Sequence, residues 1–222
     1  LGKNFMSFNS IVHALESSIS NDKALELPMI KFENEYDKVL IIGGGNSVDE
    51  NIDAIKSFLL KNRNLLIVFS SSRHIKHFLD IPNDKMISFI GNEVDRFDMS
   101  IKNNHNLKIV FPPSPREFGT YLPKGWESNS FELQENQKFK IIDYTHCSLS
   151  MQIASKTKLK TFYVVGFDGY QENSINKDFR EVFYENEKIF KVFLDEKIKL
   201  ISLTPSLYKS FTPDSIYSII NK

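Results

Sequence analysis

The amino-acid sequence predicts an α/β domain with an open, mostly parallel sheet and helices on both faces. Three observations carry that expectation. Apolar runs with no polar interruption, such as Val39-Leu40-Ile41-Ile42 and Leu65-Leu66-Ile67-Val68-Phe69, read as strands buried on both faces. Between such runs lie amphipathic stretches, the alternation that parallel βαβ units with right-handed crossovers produce. Polar, turn-forming segments follow the strands, the first being Gly43-Gly44-Gly45-Asn46-Ser47.

The elements follow in order. Residues 38–42 form the first strand, and Val48, Ile52, Ile55, Phe58 and Leu59 then mark one face of a helix. Residues 65–69 form the second strand, with a short helix over 75–79. The third and fourth strands fall at 86–90 and 107–111. Pro112-Pro113-Ser114-Pro115 opens an irregular segment that Tyr121, Pro123 and Trp126 prolong. Further strands are expected at 139–142, 162–165 and 198–203, and helices at 148–155, 179–195 and 213–220. The α/β domain therefore spans 37–222. Residues 1–36 are expected as an N-terminal helix and linker, because Phe5, Phe8, Ile11, Val12 and Leu15 have helical spacing and a polar stretch leads on to Leu27-Pro28. The opening Leu1-Gly2-Lys3-Asn4 has neither an initiator Met nor a signal-peptide pattern, and reads as part of something longer or as a trimmed chain.

Composition narrows the function. The chain has 222 residues, a length that one core can serve. Lys plus Arg number 28 and Asp plus Glu number 28, so the basic excess of a nucleic-acid binder is missing. The single cysteine, Cys147, excludes an internal disulfide framework and a cysteine-based zinc site. No apolar run reaches the roughly 18 residues of a membrane span. A cytoplasmic location is expected.

In open parallel sheets ligands bind beyond the carboxyl ends of the strands, where the strand order reverses. The candidate loops are therefore 43–47, 70–73, 91–96, 112–116, 143–148, 166–170 and 204–208. In the first, Gly43, Gly44 and Gly45 leave the backbone bare beside a helix start, so that a phosphate or ribose can approach. It is not a full dinucleotide fingerprint, since Val48 stands where a third glycine belongs and Ser70-Ser71-Ser72 supplies no carboxylate for a ribose. Nor does a Gly-Lys-Ser/Thr triplet make it a P-loop. Ser47 and Glu50 read as a capping box, and Asp49 and Asp53 add negative charge to the helix start. Unless a divalent ion or other basic groups compensate, these acids favour a ribose, base or sugar over a bare triphosphate.

Two further constellations stand out. In Asp143-Tyr144-Thr145-His146-Cys147-Ser148, His146 is a candidate acid or base, and the alternative is a plain helix cap. Cys147 reads as a buried thiol rather than a nucleophile. In Gly166-Phe167-Asp168-Gly169-Tyr170, Asp168 is placed to bind a hydroxyl or a metal-bound substrate, and Tyr170 to stack on a base or sugar; a turn is the alternative. His74 and His77, beside Arg73 and Lys76, read as a solvated basic face. Without a nameable third ligand, no metal is expected there.

Several of these segments carry a resemblance. Residues 41–47, 166–170 and Ile201-Ser202-Leu203-Thr204-Pro205, with Gly91-Asn92-Glu93, resemble a family of bacterial Rossmann-like domains that follow aldolase domains of the HMG-CoA-lyase type. Those proteins are similar to 4-hydroxy-2-oxovalerate aldolases and tend to be linked with surface-polysaccharide synthesis. The opening residues and the 8–15 stretch resemble the run leading out of the aldolase barrel. A more distant likeness is to bacterial sialyltransferases that use CMP-sialic acid and to the 6-hydroxymethylpterin diphosphokinase-like group. Both open with Gly-x-Gly-Pro-Ser, matched here by Gly43, Gly45 and Ser47, with Asn46 replacing the proline and Gly44 a nucleotide-contacting asparagine. Thr145, Ser148 and 167–170 fall where the sialyltransferases hold their nucleotide, while 171–180, where their catalytic histidine belongs, has none.

The resemblance implies a nucleotide- or nucleotide-sugar-binding domain serving an upstream aldolase, with glycosyl or phosphoryl transfer as its chemistry and no resident cofactor. Its expected ligand-binding residues are Gly43, Gly44, Gly45, Asn46, Ser47, Asn92, Glu93, Thr145, Ser148, Asp168 and Tyr170, with His146 and Asp168 as catalytic candidates. Two alternatives stay open: a non-catalytic domain that docks or oligomerises the aldolase, and a stand-alone diphosphokinase-like enzyme.

Overall fold

A computed structural model of the chain describes residues 27–32, 36–81, 86–88, 107–114, 126–139, 144–170 and 177–220. The strands are β1 (Lys38–Ile42), β2 (Leu65–Phe69), β3 (Met86–Ser88), β4 (Leu107–Phe111), β5 (Ser130–Glu132), β6 (Thr161–Val165), β7 (Lys199–Ser202) and β8 (Thr212–Pro213). They form one sheet in the order β5-β4-β3-β2-β1-β6-β7-β8, parallel at every pairing among the described residues. The helices are α1 (Ser47–Glu50), α2 (Ile52–Lys61), a 3₁₀ helix (Ser72–Phe78), α3 (His146–Ser155), α4 (Lys177–Asp195) and α5 (Ile216–Ile220).

Successive side chains of a strand point to opposite faces, so the central strands supply two cores. Val39, Ile41, Leu66 and Val68 pack with Met151 of α3 and Phe190 and Phe193 of α4. Leu40, Ile42, Leu65, Ile67 and Phe69 pack with Ile55 and Phe58 of α2, Ile75 and Phe78 of the 3₁₀ helix, and Ile216 of α5. Helices on both faces are what two apolar sheet faces require. The α/β fold read from the sequence is the fold of the protein.

The topology positions the site. The chain steps outward from β1 through β2, β3 and β4 to β5, then returns to the other side of β1 as β6 and continues to β7 and β8. Strand order therefore reverses between β1 and β6, with Ile42 in register with both Phe69 and Val165. The 43–47 and 166–170 loops leave the sheet side by side at that level.

Both ends of the sheet differ from the sequence expectation. β5 is a three-residue strand with no apolar run to announce it, and Phe139, expected to open a strand over 139–142, closes a 3₁₀ turn, Gln137–Phe139. Residues 140–143 lie outside the described residues, as do 89–90 of the third expected strand. At the other end Pro213 belongs to β8, and α5 begins only at Ile216. A proline is tolerated there because an edge strand can spare the N–H. Residues 27–32, on the linker side of the expected boundary, lie along β5. The Ile30 N–H donates to the Glu132 carbonyl (2.9 Å), the Glu132 N–H donates to that of Pro28 (2.9 Å), and Leu27 and Ile30 are buried. The helix expected near the N-terminus lies outside the described residues. Among the described residues no helix is long and apolar enough to cross a membrane.

Candidate functional site

The 43–47 loop is bolted to the β6 turn. The Gly43 N–H donates to the Val165 carbonyl and the Gly45 N–H to that of Gly166, each at 2.8 Å. This closeness is why the loop needs glycine. A Cβ on Gly43 would lie 2.8 Å from the Gly166 carbonyl carbon, and one on Gly45 would lie 2.6 Å from Asp168 Oδ2. Gly166 itself has φ +72°, a backbone that side chains disfavour. Gly44 differs, because its nearest neighbours are the Ser71 Oγ and Cβ at 3.1 and 3.2 Å.

Asp168 holds the start of α1 with both carboxylate oxygens. The Ser47 N–H donates to Oδ2 (3.0 Å), and the Ser47 hydroxyl donates to Oδ1. Ser47 is therefore the first helical residue and not the cap that the sequence suggests: the N-cap position is Asn46, whose side chain makes no cap hydrogen bond. The Ser47–Glu50 capping box is replaced by a carboxylate reaching in from β6, 121 residues along the chain. A negative charge at a helix N-terminus is favourable. Thr204 completes the junction, its hydroxyl 3.1 Å from Ser47 Oγ and accepting the Gly166 N–H at 3.1 Å. Ser206 Oγ donates to the Phe167 carbonyl, and the Leu207 N–H to that of Asp168 (2.9 Å), which ties the β7 loop to the β6 loop.

A second set of contacts comes from the 3₁₀ helix, and it corrects the reading of that helix as a solvated basic face. Arg73 donates from Nη1 to the Gly44 carbonyl (3.0 Å) and from Nη2 to Asn46 Oδ1 (2.9 Å). His74 is buried, with its side chain only 1% exposed, and its Nε2 lies 3.1 Å from the Gly45 carbonyl. Its Nδ1 is 3.3 Å from Asp49 Oδ1, and His77 Nε2 is 3.6 Å from the same oxygen. Burial pushes the His74 imidazole below its ordinary pKa, against the pull of Asp49. The side chain that faces both rings of this histidine pair, which the sequence did not name, is thus Asp49. Histidines three residues apart gave the signal, since residues at that spacing share one side of a helix, and the packing of the 3₁₀ helix turns that side toward α1.

The loop has little hydrogen-bonding capacity left. The amides of Gly43, Gly45, Ser47 and Val48 are bonded within the protein. Among the described residues those of Gly44 and Asn46 are not. An open cavity of about 420 Å³ lies beyond β7, lined by Asn51, Thr204, Ser206, Asp214, Ser215 and Tyr217 with apolar neighbours including Leu203 and Phe211. The β7 loop and α5 form its walls.

The other expected site residues divide. Tyr170 is half-exposed and stacks on Phe179 of α4, with ring centroids 4.7 Å apart. Thr145 is the N-cap of α3, accepting the Ser148 N–H at 3.2 Å, and the Ser148 hydroxyl donates to the Thr145 carbonyl at 3.1 Å. Both therefore spend polar atoms on helix capping, the plainer of the two sequence readings. His146 is the first residue of α3, and the residue that the structure brings to Asp168 is Ser47. Cys147 is buried, which pushes its thiol pKa up. Asn92, Glu93 and Asp143 lie outside the described residues.

No protein-family model matches the chain, and a search of curated proteins finds no significant relative.

Proposed function

We propose that this domain binds a nucleotide or nucleotide-sugar at the carboxyl edge of its sheet, where the 43–47 loop meets the 166–170 loop. The observation that carries this reading is the reversal of strand order between β1 and β6, with a glycine loop leaving the sheet at that point. The charges around the loop narrow the ligand. Asp168 already occupies the helix start and Asp49 follows it, so a dense phosphate group meets two carboxylates there. Ribose or sugar hydroxyls, which donate to carboxylates and carbonyls, suit the loop and the hydroxyl-rich cavity beyond β7 better. In this reading the domain serves an aldolase-type enzyme of surface-carbohydrate synthesis in the cytoplasm, and glycosyl or phosphoryl transfer is the chemistry open to its ligand.

Thermal unfolding with CMP, CDP, UDP or ATP tests the reading. At a ligand concentration of 100 Kd, binding to the folded state adds about 2.7 kcal/mol of stability. At least one nucleotide is expected to raise the melting temperature of the native chain, and Gly44→Val, which fills the loop beside Ser71, is expected to abolish that rise. Gly44→Ala adds the smaller side chain and serves as the better-tolerated partner variant. Equal stabilisation of all three proteins contradicts a ligand in the loop.

One observation favours a second reading. Tyr170 and Phe179 stack flat on each other while 39% and 42% exposed, an aromatic pair suited to docking another protein surface. A docking domain gives no nucleotide-dependent shift, and Tyr170→Ser with Phe179→Ser then weakens its association with the aldolase domain.

A further inference from the structure

A 3₁₀ helix has three residues per turn, so side chains three apart eclipse one another. His74 and His77 consequently share one side of Ser72–Phe78, their ring centroids 6.0 Å apart, and α1 brings Asp49 to both. One nitrogen of each ring and one oxygen of the carboxylate lie within 4.8 Å of one another.

Hydrogen bonding decides which His74 nitrogen is available. Nε2 lies 3.1 Å from the Gly45 carbonyl, which can only accept, so Nε2 carries the proton. In the neutral ring Nδ1 then holds a lone pair. That nitrogen is buried, has no hydrogen-bond partner, and faces Asp49 Oδ1 at 3.3 Å. A lone pair set against a carboxylate oxygen is repulsive until a cation or proton stands between them, and a buried nitrogen left unsatisfied is costly.

We propose that Asp49, His74 and His77 form a binding site for a divalent transition-metal ion, with Zn²⁺ the best match. Two imidazole nitrogens and one carboxylate oxygen are the donors of zinc and its neighbours, whereas Mg²⁺ and Ca²⁺ take oxygen shells. Bonds of 2.0–2.1 Å in a tetrahedral shell put adjacent ligand atoms about 3.4 Å apart. The 3.3 and 3.6 Å separations from Asp49 Oδ1 bracket that value. The backbone carbonyl of Gly45 holds the far nitrogen of His74, as outer-shell acceptors do for metal-bound histidines. Arg73 lies 3.7 Å from the other Asp49 oxygen, Oδ2, and leaves Oδ1 to the ion. His77 is a third exposed and Asp49 half exposed, so solvent reaches the fourth position. Three protein ligands and one open position make a site at which water or a ligand oxygen binds the ion. The site goes beyond the nucleotide reading and does not depend on it.

The test uses the native chain freed of metal with a chelator, titrated with ZnCl₂ by calorimetry and with Co²⁺ followed by visible absorption, without nucleotide. The expected result is one ion per chain and a tetrahedral Co²⁺ spectrum. His77→Ala and Asp49→Asn, both at solvent-reached side chains, are each expected to weaken zinc binding by at least about tenfold, since loss even of an outer-shell partner costs 10–100-fold. His146→Ala is expected to bind as the native chain does. The proposal is overturned if the native chain binds no stoichiometric Zn²⁺ at micromolar concentration. It is equally overturned if His77→Ala and Asp49→Asn bind as tightly as the native protein, or if His146→Ala alone abolishes binding.

Discussion

Asp168 works as a clamp. Its two oxygens take the amide and the hydroxyl of Ser47, so one side chain fixes the direction in which α1 leaves the glycine loop. Asp168→Ala should cost about 1.5–3 kcal/mol in urea unfolding, the range for hydrogen bonds to a charged acceptor, and Asp168→Asn, which keeps an acceptor for the amide, should cost less. A loss confined to ligand binding, with stability unchanged, would contradict the clamp. Cys147 gives a second expectation at this scale. Burial both hides its thiol and raises its pKa, and the thiolate is the reactive form. A thiol reagent at pH 8 should leave the folded chain unmodified and label one thiol per chain in guanidinium. That Asp168 and the 43–47 loop share one edge of the sheet was legible, since both follow strands of one parallel sheet, but the direct bonds to Ser47 were not, because the 121-residue gap is closed by the β1–β6 pairing.

At the scale of elements, the glycine run performs two different tasks. Gly43 and Gly45 permit close packing against the β6 turn, whereas Gly44 faces a side chain able to give way. Gly43→Ala and Gly45→Ala should therefore each lower stability by about 1–3 kcal/mol, as overpacking does. Gly44→Ala should stay within about 1 kcal/mol; chemical denaturation of the three variants orders them. Similar losses in all three would mean that the loop does not pack on β6 as described. The central strands were legible because an unbroken apolar, β-branched run has few other places to go. β5 and β8 were not, as strands of three and two residues at or near the sheet's ends carry no such run. The 3₁₀ helix was legible as a short helix, but its docking against the glycine loop was not, and that docking buries His74 between the Gly45 carbonyl and Asp49.

At the scale of the whole molecule, two apolar sheet faces under alternating helices made the fold class readable from residue order alone. Strand order was not readable, because right-handed crossovers permit several orders for the same alternation of elements. The observed order places the reversal between β1 and β6, directly beneath the glycine loop that composition had singled out. It also gathers Asp168, Ser47, Thr204 and the histidine pair around one loop from four separate parts of the chain. The most direct test of a ligand at that reversal is a crystal structure of the chain soaked with CMP, CDP, UDP and ATP in turn. The account predicts a nucleotide bound at the carboxyl edge, its sugar within hydrogen-bonding distance of the 43–47 or 166–170 loop. Nucleotides bound only at the opposite edge of the sheet, or at none of its loops, would contradict it.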